Sequence, residues 1–170
     1  MAYSDNNIIK VYFGYSWANP EDKSQNSGLS NSRLEAFKQL ESNVRNSLSE
    51  EQKKLVDFRR LRGTAGDYLL RNIYQMIKSS DIMVFDITEL NPNVLLELGI
   101  AFAIREEVKQ NMKIYLIRET KNKRSEKKVP SDLSGYYYTE YRYEGEKIVF
   151  SDRNSLKESL VTEIKELTAK

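Results

Sequence analysis

One ionisable side chain stands inside the most apolar stretch of the chain. It is Glu97, within Asn91-Pro92-Asn93-Val94-Leu95-Leu96-Glu97-Leu98-Gly99-Ile100-Ala101-Phe102-Ala103-Ile104. The 170-residue sequence contains no histidine and no cysteine. That removes Ser-His-Asp triads, Cys-His pairs, thiol nucleophiles and imidazole metal sites together, so no metal site is expected. Chemistry is left to carboxylates, hydroxyls, amides, Lys, Arg and Tyr. A substrate that carries its own good leaving group needs least from such a set. A catalytic glutamate competes with a plainer role for Glu97, that of an acidic residue near a helix N-terminus, favoured by the dipole and partly solvated.

The elements that must position Glu97 are legible around it. Asp81-Ile82-Met83-Val84-Phe85-Asp86-Ile87-Thr88 reads as a buried strand ending in an Asp-x-Thr turn. Asn91 is placed to cap a helix and Pro92 to occupy its first position. The helix is apolar almost all round, which predicts burial. A strand, a turn and a buried helix put the helix start at the carboxyl edge of a parallel sheet, where open α/β folds bind ligands. Asn93 and Ala101 stand four positions either side of Glu97, on one stripe. Gly99 would let a backbone or ligand approach closely.

The flanking chain supplies the rest of a sheet. Ile8 to Trp17 reads as a first strand whose end, Tyr15-Ser16-Trp17, reaches the same edge. Trp17, the single tryptophan, is placed equally well to pack or to line a pocket. Asp22 to Asn31 reads as a long polar loop, of the kind that forms lids. An amphipathic helix is predicted over 32–48, and over 50–58 either a second helical piece or a helix leading into a short strand around 55–58. Arg59, Arg60 and Arg62 come next, ahead of a Gly63–Gly66 turn that lacks the phosphate-loop pattern. Helices are predicted over 68–79 and 155–167, and strands over 113–118 and 147–150. Alternation of strands and helices implies a mainly parallel sheet covered on both faces, in a single domain spanning 1–170.

Formal net charge is +2, so bulk charge selects no partner. The basic run 121–128 carries no interleaved aromatics and reads as a solvated loop rather than a nucleic-acid surface. No stretch reads as long enough to span a membrane, and no signal peptide is expected from Met1 to Asp5. The lack of cysteine fits a cytoplasmic setting.

The run from Asp81 to Thr88, followed by Asn91-Pro92-Asn93-x-x-x-Glu97-Leu98-Gly99, resembles bacterial Toll/interleukin receptor (TIR)-like domains. It is equally similar to the nucleoside deoxyribosyltransferase-like group. Val11 to Trp17 resembles the opening strand of those proteins, and Pro130-Ser131-Asp132-Leu133 with Tyr141 their late turn and strand. The resemblance implies a flavodoxin-like α/β three-layer sandwich in which Glu97 breaks an N-glycosidic bond. In TIR enzymes the substrate is NAD and nicotinamide leaves. In the transferases the matching glutamate is the nucleophile that holds the sugar. Those transferases place a carboxylate shortly before it, whereas this chain has Asn91 and Asn93 there, with Asp86 further back. The pyridinium of NAD leaves without protonation, which suits this residue set. The leading expectation is therefore an NAD glycohydrolase or cyclase in bacterial defence or signalling, with NAD as substrate and no cofactor. Alternatives are a deoxyribosyltransferase or nucleotide N-glycosidase, and a non-catalytic nucleotide-binding or interaction domain. Tyr15, Ser16, Trp17, Asp86 and Asn93 are the expected substrate contacts, with the arginines near Arg59 placed for phosphates. TIR-like proteins often complete their sites by self-association, so a homo-oligomer is also implied.

Overall fold

A computed structural model of the chain describes residues 8–15, 27–60, 69–120, 133, 135–136, 138–144, 147–150 and 156–169. Its elements run β1 (Ile9–Gly14), α1 (Ser27–Arg45), α2 (Glu50–Lys54), β2 (Val56–Arg60), α3 (Leu69–Ser79), β3 (Ile82–Asp86), α4 (Pro92–Glu107), β4 (Lys113–Glu119), β5 (Tyr138–Glu144), β6 (Lys147–Phe150) and α5 (Leu156–Thr168). The strands form one six-stranded sheet in the order β2-β1-β3-β4-β5-β6. Every pairing is parallel except the β5–β6 hairpin at one edge. Helices cover both faces, as the alternation of elements predicts, and the result is the flavodoxin-like three-layer sandwich that the resemblance implies.

The strand period of two decides which side chain meets which helix. On β1, Val11 and Phe13 join Ile82 and Val84 of β3 in a core closed by Phe37, Leu40 and Val44 of α1 and Leu156, Leu160 and Ile164 of α5. Tyr12 points the other way, with Met83 and Phe85, into a core closed by Ile73 and Ile77 of α3 and Val94, Leu98 and Ala101 of α4. Central strands buried on both sides explain why β3 reads as a continuous apolar run.

Two local expectations are corrected. Helix α1 begins at Ser27, so 27–31 is helix and not the end of a loop. Propagating a helix costs less than nucleating one, and the apolar face of Phe37, Leu40 and Val44 anchors it. Nor is α4 buried all round. Leu96 is 54% exposed and Gly99 is exposed too, so one apolar side of this helix faces out. Its other side, Val94, Glu97, Leu98, Ala101 and Ile104, meets the sheet.

The turn from β3 into α4 is built by short-range bonds. The Thr88 amide donates to Asp86 Oδ1 at 2.9 Å, and the Leu90 amide donates to the Ile87 carbonyl at 3.2 Å. Leu90 adopts φ 50°, a left-handed conformation that costs a non-glycine residue about 1–2 kcal/mol. The Asn91 side chain then accepts from the Asn93 amide at 2.9 Å, capping α4, and Pro92 follows in its first turn. This turn fixes where α4 starts and hence where Glu97 lies over the sheet.

Candidate active site

Glu97 lies one turn into α4, on the side that packs against the sheet, and is 6% exposed. Beneath it is Tyr12 of β1, fully buried, whose hydroxyl donates to Glu97 Oε2 at 2.8 Å. Gly14, two positions along the same strand and on the same face, leaves the remaining room. A Cβ there would stand 2.5 Å from the Phe85 ring and 3.2 Å from Glu97 Oε2. The glycine is therefore required by close approach: a side chain would displace the aromatic wall or the carboxylate. Gly99, where close approach is expected from the sequence, has open space around its Cα instead.

Burial in this apolar wall pushes the Glu97 carboxyl above the ordinary glutamate range, and the Tyr12 hydrogen bond partly offsets the rise. Tyr12 is itself raised, by burial first and then by the neighbouring carboxylate, so it stays a neutral donor. The plainer role for Glu97, a partly solvated carboxylate stabilised by the helix dipole, does not describe this geometry. Glu97 is a desolvated carboxylate with one oxygen held by a phenol.

Asp86 occupies a second polar centre on the opposite face. Its Oδ2 accepts from the Tyr141 hydroxyl at 2.6 Å and lies 3.5 Å from Arg33 Nε. Its Oδ1 accepts from both the amide and the hydroxyl of Thr88. Thr88 Oγ1 also accepts from the Glu119 amide at 2.8 Å, and Arg33 reaches Glu89 at 3.0 Å. Burial works against the charge of Arg33, but Asp86 and Glu89 outweigh it and its pKa rises. This network ties α1, the ends of β3 and β4, and β5 together at the sheet's carboxyl edge.

Of the contacts expected around Glu97, the structure brings few into its immediate surroundings. Tyr15 is buried on the α1 side, its ring 5.0 Å from Phe37. Asp86 is engaged on that same face. Asn93 is exposed at the start of α4, at the rim above Glu97. Ser16, Trp17, Arg62 and residues 22–26 of the 22–31 segment lie outside the described residues, as does the whole of the basic 121–128 run. Tyr12 and Gly14 were not singled out by sequence reasoning. The signal that finds them is strand alternation: they share the face opposite Val11 and Phe13, the face that α4 covers. Among the described residues no group of three or more acidic side chains is placed to hold a metal. No described helix is long and apolar enough to cross a membrane. No family model matches the chain, and no curated protein does.

Proposed function

We propose that the protein breaks the N-glycosidic bond of NAD, with Glu97 as the catalytic carboxylate. The observation that carries this reading is the Tyr12–Glu97 pair: a buried carboxylate at the carboxyl edge of a parallel sheet, with one oxygen held. Loss of nicotinamide builds positive charge on the ribose. A carboxylate fixed beneath that sugar stabilises the charge, and exclusion of water by Phe85 and the α4 core strengthens the effect. Attack by the free oxygen on the sugar carbon would give a glycosyl-enzyme, as in retaining glycoside chemistry. Water then releases ADP-ribose, or the substrate's own adenine closes a cycle.

The choice of NAD over a neutral nucleoside rests on the leaving group. A neutral base must be protonated as it departs, whereas nicotinamide leaves from a cation. Asp86 is committed to Arg33 and Tyr141 on the other face, and Glu89 to Arg33. Neither Asp86 nor Glu89 is therefore placed to protonate a base leaving at Glu97, which supports the cationic substrate. The resemblance to TIR-like domains points the same way, to defence or signalling in the cytoplasm and to self-association. The deciding experiment is incubation of the pure protein with NAD and, separately, with deoxynucleosides. Nicotinamide release that Glu97→Gln abolishes is the expected result. Transfer of deoxyribose between bases, without NAD cleavage, would replace this reading with the transferase.

A further inference from the structure

Gly14 ends β1 in an otherwise bulky run, Val11-Tyr12-Phe13-Gly14-Tyr15. It continues the parallel ladder in register with Phe85 of β3. The backbone there is ordinary extended strand, so conformation does not call for glycine. Glycine weakens a strand interior, and its presence marks a place where something approaches closely. Two side chains approach Gly14. Phe85 lays Cδ1 and Cε1 of its ring over the strand, 2.5 and 2.7 Å from where a Cβ would stand, whereas ordinary contact begins at 3.4 Å. Glu97 Oε2 reaches the same point from α4, at 3.2 Å.

The two neighbours differ in how much they can give. The Phe85 ring is fully buried, in one core with Tyr12, Met83, Val94 and Leu98, and its centroid is 6.1 Å from that of Tyr12. A ring enclosed in this way has little empty space to turn into, and overpacking a filled core is destabilising. Glu97 Oε2 is the oxygen that already accepts from Tyr12 at 2.8 Å. A Cβ at Gly14 therefore presses on the one carboxylate oxygen that the hydrogen bond holds. Phe85 and Glu97 share one hollow, and the hollow exists because residue 14 has no side chain.

We propose that Gly14 and Phe85 are a size-matched pair of positioning residues: the bare glycine seats the phenyl ring, and the two together set where the Glu97 carboxylate lies. Their action on the reaction passes through Glu97 alone. The kinetic consequence rests on the N-glycosidase reading, whereas the effect on the carboxylate does not. A charge-stabilising group works only where it is held, and misplacement by about 1 Å can cost on the order of 10²-fold in rate. Gly14 contributes no polar group of its own, so a rate loss on substituting it measures displacement.

The test is a double-mutant cycle of Gly14→Ala with Phe85→Val, which deletes both ring atoms that meet the added methyl. Gly14→Ala is expected to lower kcat for NAD by about tenfold or more while KM changes by less than about threefold. The Glu97 titration, followed by carbon NMR and assigned against Glu97→Gln, should move to higher pH. The added methyl both desolvates the carboxylate and loosens its bond to Tyr12, and each effect raises the pKa. With Phe85→Val already present, Gly14→Ala should change kcat by less than about threefold and leave the titration in place. Wild-type kcat and titration in Gly14→Ala, or equal losses in both backgrounds, would overturn the pairing. If Gly14→Ala does not fold, recovery of the fold on adding Phe85→Val supports the pairing, and no recovery overturns it. If wild type releases no nicotinamide, the glycosidase reading fails. The Glu97 titration across the same cycle then decides the pairing on its own, a shift that Phe85→Val suppresses supporting it and no shift overturning it.

Discussion

The Tyr12 hydroxyl donates a 2.8 Å hydrogen bond to Oε2 of Glu97, joining the first strand to the fourth helix across 85 positions of sequence. The bond does two things at once. It satisfies one oxygen of a carboxylate that burial would otherwise leave costly. It also holds Oε2 in place against the first strand. Electrostatic catalysis depends on such fixed groups, because they need not reorganise as charge develops.

Replacing Glu97 by Gln keeps the shape and removes the charge. NAD turnover is expected to fall by about 10²-fold or more, the usual effect of deleting one preorganised charge-stabilising group. Circular dichroism should show the fold retained. Equal nicotinamide release by wild type and variant would remove Glu97 from the mechanism.

The same substitution has a thermodynamic signature. The Glu97 pKa is raised in the folded protein, by burial first. Its favourable contribution is therefore complete below the unfolded value, about 4.3, and is lost as pH rises through the raised folded value. Gln does not titrate. The melting temperature of Glu97→Gln minus that of wild type should thus increase between about pH 4 and pH 7. A difference independent of pH would mean that Glu97 is solvated.

Tyr12→Phe removes the hydrogen bond and little else. That bond lowers the Glu97 pKa against the effect of burial, so its loss should move the acid limb of kcat/KM to higher pH. On the plateau kcat should fall by about tenfold, in keeping with a hydrogen bond to a charged group. A stability loss with kcat and pH profile both unaltered would make Tyr12 a core residue and nothing more.

The sheet and its helices were legible because their signals are local. The apolar run of β3, the Asn91-Pro92 start of α4 and the Phe37–Leu40–Val44 stripe of α1 each follow from a few neighbouring residues. What was not legible depends on which face a strand residue takes. Tyr15 and Asp86 sit at strand ends near the expected edge, yet both turn towards α1. Tyr12 and Gly14, one position out of phase with the hydrophobic pair Val11 and Phe13, turn towards Glu97. Alternation fixes the phase only once one knows which helix covers which face. Exposure of Leu96 was hidden for a related reason: apolar residues all round α4 give no amphipathic stripe to orient it.

The Asp86 network predicts a stability effect separable from chemistry. Arg33 and Asp86 are both buried, and removing one partner strands the other charge. Arg33→Met should lower unfolding free energy by roughly 3–5 kcal/mol in urea titrations. Well below the melting range it should retain the KM of wild type for NAD. A raised KM without loss of stability would instead return Asp86 and its neighbours to the substrate site.

Self-association makes the last prediction. In one chain Glu97 has Tyr12, Gly14 and Phe85 on its sheet side, while Asn93 at the rim and Leu96 on the outer side of α4 are exposed. A reaction through a charged sugar needs water kept away from the whole substrate, and a second copy is one means of supplying that exclusion. Bringing the copies together costs translational and conformational freedom, so the competent state should be sparsely populated in dilute solution. NAD turnover per chain should therefore rise with protein concentration, in step with the oligomer fraction followed by light scattering. Constant turnover per chain from a species that remains monomeric throughout the dilution series would show that one chain encloses its substrate unaided.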